Sequence, residues 1–185
     1  VGGEKVSNGD ADSKKVMMLF AENEDGKMSI CTASAIAPNV LLTAAHCIGE
    51  KHFVVLHSSI SCESGFDASK HIVEVSGVLQ HQDWDPKSES VKNSAKDVAI
   101  VVLKENLPSS YRVLKIADPA AVDFTSGEMR FIGYGVVNYE AGGSAILRRT
   151  SIPIMDITVY KEDNLVKIDQ SNGHGICQGD SGGPS

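Results

Sequence analysis

Short β-rich runs recur along the whole chain: Val16–Phe20, Phe53–Leu56, Ile72–Leu79, Val98–Leu103, Met129–Val137 and Ile152–Val159. Turn residues separate them, and none shows the apolar repeat of an amphipathic helix. Many short strands at fairly even spacing point to an all-β sandwich or barrel. Aromatic residues make up only 5%, so β-branched side chains must fill the cores.

The length supports such a core, since a chain of 185 residues buries roughly 70% of the surface it exposes unfolded. Disorder is excluded as the main state by the Val, Ile and Leu content. Acidic residues number 24 against 17 Lys+Arg, a net charge of −7, and no basic run is present. That balance argues against nucleic acid and anionic membranes as partners. The longest apolar runs, such as Val98–Leu103, fall far short of the ~18 residues of a membrane span.

The 4 cysteines are Cys31, Cys47, Cys62 and Cys177, and none forms a CxxC pair. Zinc-ribbon and thioredoxin-like readings lose their main support, while an even count favours disulfides and an oxidising compartment. The polar stretch Asp83–Asp97 reads as a long surface loop, Lys104–Tyr111 as a linker between two halves, and Gly142-Gly143-Ser144 as a hairpin tip.

Three local patterns carry chemistry. In Leu41-Leu42-Thr43-Ala44-Ala45-His46-Cys47 an apolar strand ends in small residues and a histidine. In Lys96-Asp97-Val98-Ala99-Ile100-Val101-Val102-Leu103 an aspartate stands at the mouth of an apolar strand, where its burial requires a hydrogen-bonded partner. In Gly175-Ile176-Cys177-Gln178-Gly179-Asp180-Ser181-Gly182-Gly183-Pro184 a serine lies in a glycine-rich turn whose backbone N–H groups can face a ligand. Each alone has a bland reading: a structural histidine, a turn aspartate, a loop. Together they supply a hydroxyl nucleophile, a base and a carboxylate to orient the base.

The His, Asp, Ser chain order and the motifs Thr43-Ala44-Ala45-His46-Cys47, Asp97-Val98-Ala99-Ile100 and Gly179-Asp180-Ser181-Gly182-Gly183-Pro184 resemble those of the trypsin/chymotrypsin family of serine endopeptidases. Val1-Gly2-Gly3 resembles that family's activated N-terminus, and Gly133-Tyr134-Gly135 the start of its second barrel. The resemblance implies two antiparallel β-barrels, residues 1–105 carrying the histidine and aspartate and 106–185 carrying the linker and nucleophile. It implies a secreted protease made as a zymogen, with protein or peptide substrates, a protein inhibitor as a further partner, and no cofactor or metal. Ser181 would be the nucleophile, His46 the general base and Asp97 its orienting carboxylate. The N–H groups of Gly179 and Ser181 would form the oxyanion hole, and Asp180 would pair with the α-amine of Val1. Cys31 and Cys47 would form the disulfide that holds the histidine loop. Cys177 would lack its usual partner. For Cys62 a free thiol, a partner outside the chain and, least favoured, a bond to Cys177 stay open.

The chain departs from the pattern at its end. It stops at Ser185, so the strands and terminal helix that close the family's second barrel are expected in a further C-terminal segment. The position of the family's specificity-pocket floor holds Gly175, followed by Ile176, which favours aliphatic over cationic side chains. His52, His57, His71, His81 and His174 lack metal-ligand spacing and read as surface residues. Glu63 and Asp67 do not make a convincing calcium loop, and Arg148-Arg149 reads as a solvated strand pair rather than a nicking site. The alternative function is an inactive, protease-like binding or inhibitory protein. Retention of all the triad residues weighs against it.

Overall fold

The computed structural model describes residues 2–60, 67–88, 90–123, 126–136, 145–155 and 165–185. Among them, Val1, Cys62, Glu63 and the Gly142-Gly143-Ser144 tip are not included. Nine strands dominate: β1 (Glu4–Lys5), β2 (Val16–Glu22), β3 (Met28–Ala37), β4 (Val40–Thr43), β5 (Lys51–Val55), β6 (Ile72–Gln80), β7 (Ala99–Leu103), β8 (Glu128–Gly133) and β9 (Arg148–Pro153). Among the described residues the one α-helical turn, α1, covers Val91–Ser94, capped by the Ser90 side chain on the Asn93 N–H. It interrupts the stretch expected to be a loop.

Strands β2-β3-β4-β7-β6-β5 close into an antiparallel barrel, with β2 pairing β5 to complete the ring. Closure removes the exposed edges that an open sheet would leave. The barrel is filled by Met17, Leu19, Ala33, Leu41, Val54, Val101 and Leu103, all nearly inaccessible. In β7 the period of two is clean, with Ala99, Val101 and Leu103 inward. In β2 it is lost, because Val16 and Met18, on the opposite face, are buried too. They join Val6, Ile132, Tyr134 and Leu147 in a second apolar cluster. That cluster cements the barrel to a 3-stranded sheet of order β1-β9-β8.

Besides α1, expected and observed elements differ at β3. Strand β3, Met-Ser-Ile-Cys-Thr-Ala-Ser-Ala-Ile-Ala, is rich in small residues and lacks a strand's usual signature, yet it is the longest. Within the Lys104–Tyr111 stretch, Leu107 is buried in the barrel cluster and its N–H reaches Pro38 O at 2.7 Å. No helix among the described residues is long and apolar enough to cross a membrane.

Candidate active site

Thr43 at the end of β4 pairs with Ala99 at the start of β7, so His46 and Asp97 leave the barrel at the same end. After Thr43 the chain makes a 3-10 turn, Ala45–Cys47, tied to β3 by the Cys31–Cys47 disulfide. The turn aims the His46 ring outward, with 46% of the side chain exposed. Gln80 Nε2 donates to Ala45 O at 2.9 Å and pins the turn from the end of β6.

Asp97 holds His46 at two points. One carboxylate oxygen accepts from the His46 backbone N–H at 2.8 Å, and the other lies 2.6 Å from Nδ1 of the ring. The pairing orients the imidazole, leaving Nε2 as the free ring nitrogen. It raises the His46 pKa above the ordinary 6.5, chiefly through the Asp97 hydrogen bond and against partial burial. For Asp97, burial favours the neutral acid, but the His46 hydrogen bonds and charge outweigh it and hold the pKa below the ordinary value.

Ser181 is brought to this end of the barrel by β3. Thr32 N–H donates to Ser181 O at 2.9 Å, and Thr32 Oγ1 donates to Gly179 O at 2.8 Å. The same Oγ1 accepts from Tyr134 N–H at 3.0 Å. Cys47 Sγ lies 3.8 Å from Ser181 O, which sets the Ser181 loop against the histidine turn. No hydrogen bond joins the Ser181 hydroxyl to His46 among the described residues; such catalytic bonds often tighten only with substrate.

Two glycines make this approach possible. Gly182 has φ +79°, and a Cβ there would sit 2.5 Å from Thr32 O and 2.7 Å from Ala44 N. Gly179 has φ +97° and would meet Tyr134 O at 3.0 Å. The left-handed backbone at Gly179 is open only to glycine without strain. The Asp180 carboxylate accepts from Gly135 N–H at 2.8 Å and Cys177 N–H at 2.9 Å, so it braces the loop from inside.

The other expected site residues divide. Gly175 and Ile176 line a cavity of about 20 Å³ shared with Gly2, Gly3 and Asp180. Gln170 Oε1 accepts from Ile176 N–H at 2.7 Å there. Cys177 is a free, half-buried thiol; Cys62 lies outside the described residues. Cys31, His46 and Cys47 place potential metal-binding atoms within 4.8 Å of one another, but the disulfide removes both sulfurs as thiolate ligands. Asp67 caps a 3-10 turn through Ser69 N–H and pairs with Lys70. His52 and His57 are half-buried rather than surface groups: His52 Nε2 accepts from Gly49 N–H, and His57 contacts Asn8 and Ser59.

The family model for trypsin matches residues 1–185. The chain belongs to the trypsin family. Among relatives, it is 27% identical to brachyurin of Leptuca pugilator over 164 residues, covering 85% of this chain and 70% of that protein. It is 28% identical to the cercarial protease of Schistosoma mansoni over 172 residues, covering 84% of this chain and 65% of that protein. This trypsin-family chain thus spans about two thirds of those relatives' length. Its fold matches the solved structure of GrC with a TM-score of 0.78 at 20% identity, over 99% of this chain and 82% of that one. It matches HL collagenase with a TM-score of 0.76 at 20% identity, over 100% and 79%.

Thr32 is the residue that reading the sequence missed. It belongs to no motif, and the bond that matters reaches a carbonyl 147 positions away.

Proposed function

We propose that this chain is the catalytic part of a secreted serine endopeptidase that hydrolyses peptide bonds through an acyl-enzyme. The observation that carries the reading is the two-point hold of Asp97 on His46, with the Ser181 loop strapped to the same end of the barrel. Ser181 Oγ attacks the scissile carbonyl while His46 Nε2 takes its proton. His46 then gives that proton to the leaving amine, and the acyl group stays on Ser181. Water, activated by the same imidazole, attacks the ester and returns Ser181 as the free hydroxyl. Asp97 keeps the imidazole in the productive tautomer and stabilises the imidazolium.

The N–H groups of Gly179 and Ser181 serve the developing oxyanion, each worth about 3 kcal/mol of barrier. Asp180 receives the α-amine of Val1 after zymogen cleavage, supported by the nearness of Gly2 and Gly3 to Asp180 in one small cavity. The first barrel unit is assigned to residues 1–105 and the nucleophile-bearing unit to 106–185. Gly175 and Ile176 favour aliphatic side chains, because neither offers a counter-charge to a cation. Substrates are proteins or peptides, and a protein inhibitor is the second class of partner.

The test is intact mass before and after a fluorophosphonate probe, with Ser181→Ala as control. One adduct, lost in the control, supports the enzyme. No adduct on an activated full-length protein supports the protease-like binding protein instead.

A further inference from the structure

The Arg148-Arg149 pair is not a solvated one. Arg149 is 24% exposed, and Arg148 Nε is buried with no partner among the described residues. Both guanidinium groups are turned on the N-terminal segment. Arg148 donates to Gly3 O at 2.9 Å and Gly2 O at 3.3 Å. Arg149 donates from Nε to the Glu4 carboxylate, and from Nη1 to Asp10 at 2.8 Å and Asp12 at 2.9 Å. Asp12 is 4% exposed and also holds Lys15 and Arg130.

Val6 and Asn8 anchor the later part of the segment, through Leu147 O and Ser58 N–H, but residues 2–5 have little else to keep them in place. Strand β1 has 2 residues, both with exposed side chains. Its ladder to β9 consists of Glu4↔Arg149 and Lys5↔Arg148, too short to be stable alone. Among the described residues the first buried apolar anchor is Val6, so residues 2–5 are held by polar contacts. A lysine could not replace Arg149 here, because one ammonium lacks the rigid fork of donors that reaches several carboxylates at once.

We propose that Arg148 and Arg149 are positioning residues that seat residues 2–12 on the second sheet and so hold the N-terminal end at the Asp180 cavity. The shape of the Ser181 loop then depends on a clamp that lines the same cavity as Asp180. The proposal rests on the reading of Asp180 as the receiver of the Val1 amine.

The test uses the activated full-length protein, prepared with Val1 as its first residue, with the variants Arg149→Met, Arg149→Lys and Arg148→Gln. Three quantities are read: the rate of fluorophosphonate labelling at Ser181, acetylation of the Val1 α-amine by mass, and the thermal midpoint. The Arg149→Met protein is expected to label at least about tenfold more slowly, as for loss of a charge-assisted hydrogen bond, and to expose its α-amine to acetylation. Arg149→Lys should lie between it and the unchanged protein, and Arg148→Gln should move both readouts the same way. If Arg149→Met does not fold, the other variants are judged by the same criteria. A lower thermal midpoint with an unaltered labelling rate and a protected amine would mean a purely structural role and would overturn the clamp. Asp180→Asn separates the two claims. If that variant labels at the unchanged rate, the Asp180 reading fails. If it loses labelling while the arginine variants behave normally, only the clamp fails.

Discussion

His46, Asp97 and Ser181 were legible because each sits in a short motif whose residue types match one chemical job. The hydrogen bonds to Asp97 stabilise the charged imidazolium, so the His46 pKa lies above 6.5. In the proposed mechanism His46 must be neutral to act as the base. The kcat/KM of the complete enzyme should therefore fall as pH drops through a midpoint above 6.5. Asp97→Asn removes the largest cause of that rise and leaves burial, which lowers it. The midpoint should move down and kcat fall by about 10⁴, as a pH–rate profile would show. Thr32 was not legible, since a threonine between Cys31 and Ala33 announces nothing by itself. Its hydroxyl satisfies Gly179 O and Tyr134 N–H inside the protein. Thr32→Val keeps the shape and leaves both groups unpaired, so it should cost about 2–4 kcal/mol in denaturant unfolding and slow probe labelling of Ser181. Unchanged unfolding would mean that both groups find other partners.

Among the elements, β4 and β7 announced themselves as apolar runs, and their pairing places His46 beside Asp97. Strand β3 did not, because its Ala, Ser, Thr and Cys residues suit a crowded barrel wall rather than any local strand preference. It carries Cys31, whose bond to Cys47 closes a loop with a sequence separation of 16 and anchors the histidine turn. In the chain-entropy account a loop of that size is worth about 3 kcal/mol. The double variant Cys31→Ala, Cys47→Ala should lose about that much stability by denaturant titration and also broaden the His46 ring resonance, as the turn loses its tether to β3.

The barrel and the second sheet are joined by one apolar cluster. Val16 and Met18 of β2 point away from the barrel interior into Ile132, Tyr134 and Leu147. Leu147 is fully buried there. Leu147→Ala should cost about 2–5 kcal/mol, with barrel and second-sheet probes still unfolding together. Separate transitions would show that the cluster does not couple the two.

The alternation and spacing of short apolar runs determined an all-β chain, because a strand's side-chain period is written into neighbouring residues. The motifs around His46, Asp97 and Ser181 pointed to the serine protease family for a similar reason: each needs only a few consecutive residues. Tertiary structure decided what depends on partners far apart in the chain. It made Thr32 a strap for the nucleophile loop, drew Leu107 into the barrel core, and turned Arg148-Arg149 from a surface pair into the seat of the N-terminal segment. Those roles come from desolvation and hydrogen-bond geometry, which arise only when distant strands close on one another.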